Sequence, residues 1–441
     1  MNSIFNVINN FLNINHLKAT NLFGKILNIR KQLKNLSLYL FASILTSLLG
    51  VLLNPFLAIN LSPKDYAIIG YFTSFNTLIL PILSFSLLSY YSRNYFKIKE
   101  EDRQSVLDTL IIMQILIGLL GLLFVLFGFY VYMDVAKVNF PFYPFAILCF
   151  IPTFFSCFYN FLLVEKRMNR QAKSYFNIVI INAIIGAAFL VLFVVVFKFG
   201  AIGRFWAALI PPVGMGIYSI FKLLSKFQVK KRILFEAISF SWPISVSAIL
   251  YYFLSGVDRA MLEKLNDNLT FGNYNVAIQI SSYFYIFYAA IVQTFEPDIY
   301  KSIADNNRNK LYKISIGILG LNAIPILLFI LFAHPIVRIL TFGRYMDSVS
   351  FAQILALKNI ALGFCFLVSD IIIGFGYPKV ELINRAIGAG LSIILFKILI
   401  AKFGFYGAAW GQSISFLLMT GISGLFIGYK LFYSHKRARL I

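Results

Sequence analysis

Apolar residues come in long, regularly spaced runs along this chain. Twelve windows stand out, at 37–60, 66–91, 105–133, 142–164, 175–198, 204–222, 236–257, 275–296, 312–333, 351–375, 380–401 and 405–429. Each is close to the ~20 residues that a helix needs to cross the hydrocarbon core. The runs are continuous and lack the alternation of a transmembrane strand, which excludes a β-barrel. Pro55, Pro81 and Pro325 fall inside runs, where neighbouring helices re-satisfy the freed carbonyls. The pattern predicts an all-α integral membrane protein with about twelve transmembrane helices.

A nine-residue word occurs twice within this pattern. Lys198 to Trp206 and Lys402 to Trp410 both read K-F-G-x-x-G-x-x-W, 204 positions apart, in a short break between two apolar runs. Sliding the chain by that interval also sets Ser37 on Ser241 and Asn54 on Asp258. An even number of spans per repeat makes both copies enter the membrane from the same side, so the repeat axis runs along the membrane normal. The predicted organisation is a leader over 1–36, a six-helix bundle over 37–222, a connector over 223–235, a second six-helix bundle over 236–429 and a basic tail over 430–441. Two such pseudo-symmetric bundles are expected to form a V-shaped central cavity. In the leader, Ile4, Phe5, Ile8, Phe11 and Leu12 are interleaved with asparagines. That spacing fits an interfacial amphipathic helix or a partly ordered leader, and not a signal peptide.

Composition agrees with a membrane solvent: 60% hydrophobic, 13% charged, mean hydropathy +0.81. The net charge of +22 is distributed by side. Of 39 Lys and Arg, 28 fall in or beside the termini and alternate loops, nine in or beside the opposite loops, and Lys358 and Lys397 are the two left within spans. This bias places both termini of a multi-pass membrane protein in the cytoplasm by the positive-inside rule. Topology accounts for the charge, so no nucleic-acid partner is needed. Cys149, Cys157 and Cys365 lie in apolar runs and His16, His334 and His435 are scattered, so no metal site is expected. Nucleotide-binding, metalloprotease and serine-hydrolase motifs are missing, and the outer loops near 259–274 and 334–350 stay under twenty residues. A non-enzyme without cofactor is expected.

Three stretches carry a family resemblance: Phe240-Ser241-Trp242-Pro243-Ile244, Gly256-Val257-Asp258-Arg259-Ala260-Met261-Leu262 and Phe271-Gly272-Asn273-Tyr274-Asn275-Val276-Ala277. They resemble the bacterial polysaccharide flippases of the multidrug/oligosaccharidyl-lipid/polysaccharide exporter superfamily. Ala58 to Tyr66 is similar to that family's outer turn after the first span, although Asn60 stands near an expected Arg and Ala67 replaces an expected Gly. The resemblance implies alternating-access export of a polyprenyl-diphosphate-linked oligosaccharide for O-antigen, capsule or exopolysaccharide assembly. It implies contact with membrane lipids and with a polysaccharide polymerase and chain-length machinery, and leaves H+ or Na+ coupling open. A cation-coupled multidrug exporter of the same superfamily is the near alternative. A membrane-embedded glycan polymerase or ligase is the distant one.

Charges inside spans nominate the site, because a Lys or Asp facing lipid at mid-bilayer costs about 2.5–3.5 kcal/mol on insertion scales. Lys358, Arg385, Arg259, Arg93 and Lys301 are the candidate cations for an anionic headgroup, and Asp370, Asp258 and Glu381 their candidate acid partners. Lys358 has no carboxylate within one turn and is expected to face the cavity. Arg385 follows Glu381 at i, i+4 and also sits at a depth similar to Asp370. Lys397 has the position of a snorkelling lysine.

The charge count predicts a labelling pattern. Single cysteines at Lys137, Asp267 and Asp347 react with an impermeant thiol reagent from outside the cell, and those at Lys166, Lys230 and Arg308 do not. The reverse pattern overturns the orientation.

Overall fold

The apolar runs fold as helices in the computed structural model, which describes residues 45–95, 98–305, 307–375 and 377–438, together with 38, 41 and 42. The leader expected over 1–36 lies outside them. The order begins α1 (Leu45–Asn60), α2 (Pro63–Ser74), α3 (Asn76–Ser84), α4 (Leu87–Asn94), α5 (Glu100–Ala136), α6 (Phe145–Met168), α7 (Ala172–Leu190) and α8 (Gly200–Leu223). It continues with α9 (Lys231–Ser255), α10 (Val257–Leu262), α11 (Asn268–Ala304), α12 (Arg308–Leu331), α13 (Ala333–Thr341), α14 (Ser348–Gly374) and α15 (Pro378–Ala438). Among the described residues, nine helical segments are long and apolar enough to cross a membrane. The shorter α1, the 37-residue α11 and the second half of α15, beyond a break at Gly404 (φ 55°, ψ −130°), complete twelve spans. The fold is all-α, with two lobes, α1–α8 and α9–α15. Within the first, α6 packs on α8 and α3; within the second, α14 packs on α15, α11 and α12. Between them, α2 packs on α11, and α3, α4 and α5 on α9.

The repeated word is a helix hairpin in both lobes. Gly200 (φ 59°) and Gly404 (φ 55°) take the left-handed conformation that reverses the chain, one that glycine adopts without steric penalty. Three residues on, the second glycine lies against the preceding helix. A Cβ on Gly203 would come within 2.7 Å of the Phe193 carbonyl oxygen, and one on Gly407 within 2.0 Å of that of Leu399. Trp206 and Trp410 are both exposed on the outer face of their lobes. The first hairpin has an added tie: Asp65 caps α2 through Ser62 and accepts a hydrogen bond from the Ala201 N–H at 2.8 Å. One carboxylate thus serves two helix N-termini, where the dipole favours it.

The second apolar run, read as one span over 66–91, is broken. Phe85 and Ser86 both have positive φ (44° and 49°), a conformation costing L-residues roughly 1–2 kcal/mol each. Packing compensates: Ser241 Oγ donates to the Ser86 carbonyl (3.3 Å) and Ser245 Oγ to Ser86 Oγ (3.0 Å). Both serines flank Pro243 of α9, so the break in one lobe is held by the proline-bearing helix of the other.

The connector between lobes is docked on α5. Buried Asp108 accepts from the N–H groups of Ser225 (2.8 Å) and Lys226 (3.2 Å), and Lys230 donates its N–H to Thr109 Oγ1 (3.2 Å). Lys230 Nζ also meets Asp102 at 3.0 Å.

The hairpin geometry makes a prediction. Gly407→Ala forces the two arms apart and lowers stability by about 1–3 kcal/mol, read as a lower melting temperature in detergent. Gly421→Ala, where a Cβ meets nothing within 4 Å, is neutral or stabilising by up to about 1 kcal/mol. Equal behaviour of the two variants contradicts the close-packed hairpin.

Candidate functional site between the lobes

The lobes are joined at the end that carries few cations. Helix α1 ends there with unsatisfied carbonyls, and the second lobe supplies donors. Arg344 Nη1 donates to the carbonyls of Ala58 (3.1 Å) and Ile59, and the Tyr345 hydroxyl donates to that of Leu61 (2.5 Å). Asn54 Nδ2 donates to the Leu340 carbonyl at 3.0 Å, while its Oδ1 accepts from Gln279 Nε2 at 2.8 Å. Further along, buried Glu263 accepts from the backbone N–H of Asn139 at 2.7 Å and from its Nδ2 at 3.1 Å. Backbones approach closely too, since a Cβ on Gly272 of α11 would sit 2.2 Å from the Pro63 oxygen of α2.

Beneath this seam stands Arg204, half-buried on α8. Its electrostatic neighbours are Tyr66 of α2 and Tyr283 of α11, so both lobes contribute. Among the described residues, none of the salt bridges involves it. It also lines a cavity of about 300 Å³ between α1, α7 and α8, where Asn182 Oδ1 is buried without a hydrogen-bond partner.

The charges expected from sequence lie elsewhere. Asp258 is fully buried in the second lobe, and its Oδ2 accepts from the Tyr274 hydroxyl and from Gln412 Nε2, both at 2.6 Å. Its Oδ1 and Gln412 Oε1 have no partner. Half-buried Lys358 has Asp258 and Arg259 as electrostatic neighbours, and Arg259 Nη2 donates to the Ser255 carbonyl at 3.1 Å. These residues, expected along a central cavity, form one cluster around a buried carboxylate. Arg385 bonds Glu381 at 2.8 Å, the i, i+4 pair read from sequence, and reaches Ser247 Oγ of α9 at 3.2 Å. Asp370 neighbours Tyr288. Arg93 stacks over the Phe240 ring at 4.7 Å, beside a Tyr90–Glu236 hydrogen bond of 3.0 Å that also joins the lobes. Lys301 lies on α11, but its side chain falls outside the described residues. Lys397 is exposed, as a snorkelling lysine would be.

Arg204, Arg344, Asp108 and Glu263 were not singled out from sequence. For Arg204 a signal existed: the second copy of the repeated word has Ala408 at the matching position. The hairpin therefore does not require a cation there.

Comparison with known proteins follows the same lines. The family model described as polysaccharide biosynthesis protein matches residues 32–299. An uncharacterized membrane protein of Methanocaldococcus jannaschii is 25% identical over 235 residues, which cover 48% of this chain and 53% of that protein. The chain thus matches about half the length of that relative. Among solved structures, an inward-facing multidrug resistance MATE family transporter of the MOP superfamily superposes with a TM-score of 0.69, 16% identity and coverage of 89% of this chain and 96% of that one. The lipid II flippase MurJ in an inward closed conformation gives 0.70, with 16% identity, 89% of this chain and 87% of that one. At such identities the likeness concerns the fold, a twelve-helix arrangement in two lobes. With the family model covering more than half of it, the chain belongs to the polysaccharide biosynthesis protein family.

Proposed function

We propose that this membrane transporter carries a polyprenyl-diphosphate-linked oligosaccharide across the bacterial inner membrane by alternating access, supplying O-antigen, capsule or exopolysaccharide assembly. The reading is carried by Arg204. The guanidinium stands half-buried one turn inside α8, in no salt bridge among the described residues, and the hairpin that presents it has no need of it. A diphosphate is the complementary group, because a guanidinium fork pairs with phosphate oxygens bidentately. Half-buried Tyr283 adds a hydroxyl from the second lobe, and buried Tyr66 neighbours the guanidinium from the first, so a headgroup bound here meets both lobes. Arg93 and Lys301 stand at the cation-rich end, where the headgroup arrives from the cytoplasm. The inside-negative potential favours outward movement of an anion by about 2.3 kcal/mol per charge per 100 mV. No cofactor is required, and proton or sodium exchange would act in addition.

The multidrug-exporter alternative asks for carboxylates facing a cationic substrate. Asp258 instead is buried and already bonded by Tyr274 and Gln412. A polymerase or ligase would need larger extramembrane loops than this chain has between its helices.

Two experiments test the site. In a bacterial host lacking its own flippase, Arg204→Met lowers surface glycan on the order of tenfold or more at normal protein level, and Arg204→Lys retains part of it. Full export in Arg204→Met removes the basis of the reading. Lys358→Met, by contrast, removes a neighbouring cation from buried Asp258 and destabilises the protein on the order of 1–3 kcal/mol, seen as reduced yield and a lower melting temperature. Adding Asp258→Asn restores both. Normal stability in Lys358→Met, with export lost, places Lys358 against the substrate instead.

A further inference from the structure

A cavity of about 380 Å³ lies on the seam between the lobes, away from the arginine site. Phe75, Phe124, Gly128 and Phe129 line it from the first lobe, and Tyr252 and Phe253 from the second. The other cavities described each lie within one lobe. Its floor is a fixed aromatic cluster, with Phe75 edge-on to Phe129 at 4.7 Å and stacked on Tyr252 at 5.5 Å. Gly128 sits eight residues before the end of α5 at Ala136, about 12 Å along the helix from that end, and within the apolar run 105–133. One turn earlier Phe124 is 71% exposed, on the same outward face as Leu120 and Phe127, so the cavity opens sideways to the bilayer. The neighbours at that depth are hydrocarbon chains, since water is absent there.

We propose that this cavity holds a segment of the isoprenoid tail of the transported lipid while its headgroup is bound between the lobes. The inference rests on the substrate reading above and adds a second site to it. The cavity is walled by aromatic rings of both lobes, whose apolar faces suit the methyl branches of an isoprenoid chain. Because both lobes form its walls, any shift of one lobe against the other changes the grip on the tail. Gly128 opens the space, for a Cβ there meets nothing within 4 Å.

The test uses the full-length protein in phosphatidylethanolamine/phosphatidylglycerol nanodiscs with two photoactivatable probes, a diazirine-bearing polyprenyl phosphate and a diazirine-bearing phosphatidylglycerol. The polyprenyl probe should label α5 and α9 peptides around Gly128 and Tyr252, and unlabelled polyprenyl phosphate should compete. Gly128→Phe should cut that labelling at least about fivefold, close to 1 kcal/mol of binding, whereas Leu120→Phe on the open face should not. Equal labelling by phosphatidylglycerol without competition identifies an ordinary bilayer chain and overturns the proposal, as does undiminished labelling in Gly128→Phe. The probes carry no sugar and need no turnover. Export of glycan with no labelling therefore sinks this inference alone, and labelling in a protein that exports none sinks the substrate reading alone.

Discussion

The seam at the cation-poor end depends on the spare carbonyls of α1. A helix leaves its last carbonyls without intrahelical partners, and inside a membrane such groups must find a donor. Here the donors are Arg344 and Tyr345 from the other lobe. Bonds of this kind exchange readily with water, and each is worth only about 0.5–1.5 kcal/mol net. A seam made of them can close firmly and still open at modest cost. A seam of interdigitated apolar side chains would lose its contacts outright on opening. The close approach of Gly272 to Pro63 sets the separation at which these bonds form.

Much of this architecture is legible in the sequence because lipid leaves so few choices. Among the described residues the apolar runs become helices, the run 66–91 in three pieces, and the repeated glycine word marks the matching hairpin of each lobe. Details set by tertiary contact were not legible. The break at Phe85 and Ser86 contains neither glycine nor proline; it exists because α9 offers Ser241 and Ser245 to hold it. Pro81, four residues earlier, was its only local sign. The connector over 223–235 is basic, with Lys226, Lys230, Lys231 and Arg232. Its docking depends on Asp108 lying on the right face of α5, which no local pattern announces.

The site shows the same division. Charges inside apolar runs stand out because lipid penalises them; of these, Lys358 neighbours buried Asp258, Arg385 pairs with Glu381 and Asp370 neighbours Tyr288, all within the second lobe. Arg204 escaped because counting cations by side assigns it to a loop, although the hairpin glycine at 200 already places it one turn inside a helix. Depth must be measured from the break in the backbone, and here the break lies four residues before the charge. Glu263 and Arg344 were hidden for another reason: both act on the backbone or side chains of the opposite lobe, and their partners are distant in sequence.

Laying the two repeats on each other separates what folds the chain from what it uses. Both copies keep the hairpin glycines and the outward tryptophan, yet Arg204 faces Ala408 and Asn54 faces Asp258. Asn54 is neutral and spans the seam, accepting from Gln279 and donating to Leu340. Its counterpart Asp258 is charged and turned into its own lobe, with Tyr274 and Gln412 on one oxygen and Lys358 and Arg259 nearby. Among the described residues, the repeat therefore carries a cation in the first lobe that forms no salt bridge, and in the second a buried anion bonded on one of its two oxygens. An enclosed carboxylate does not repel an incoming anion as an open one would, since its field is offset at close range by its own donors and cations. The two differences fall in one pattern: the lobe that lacks a cation at the hairpin is also the one that holds its acid inside.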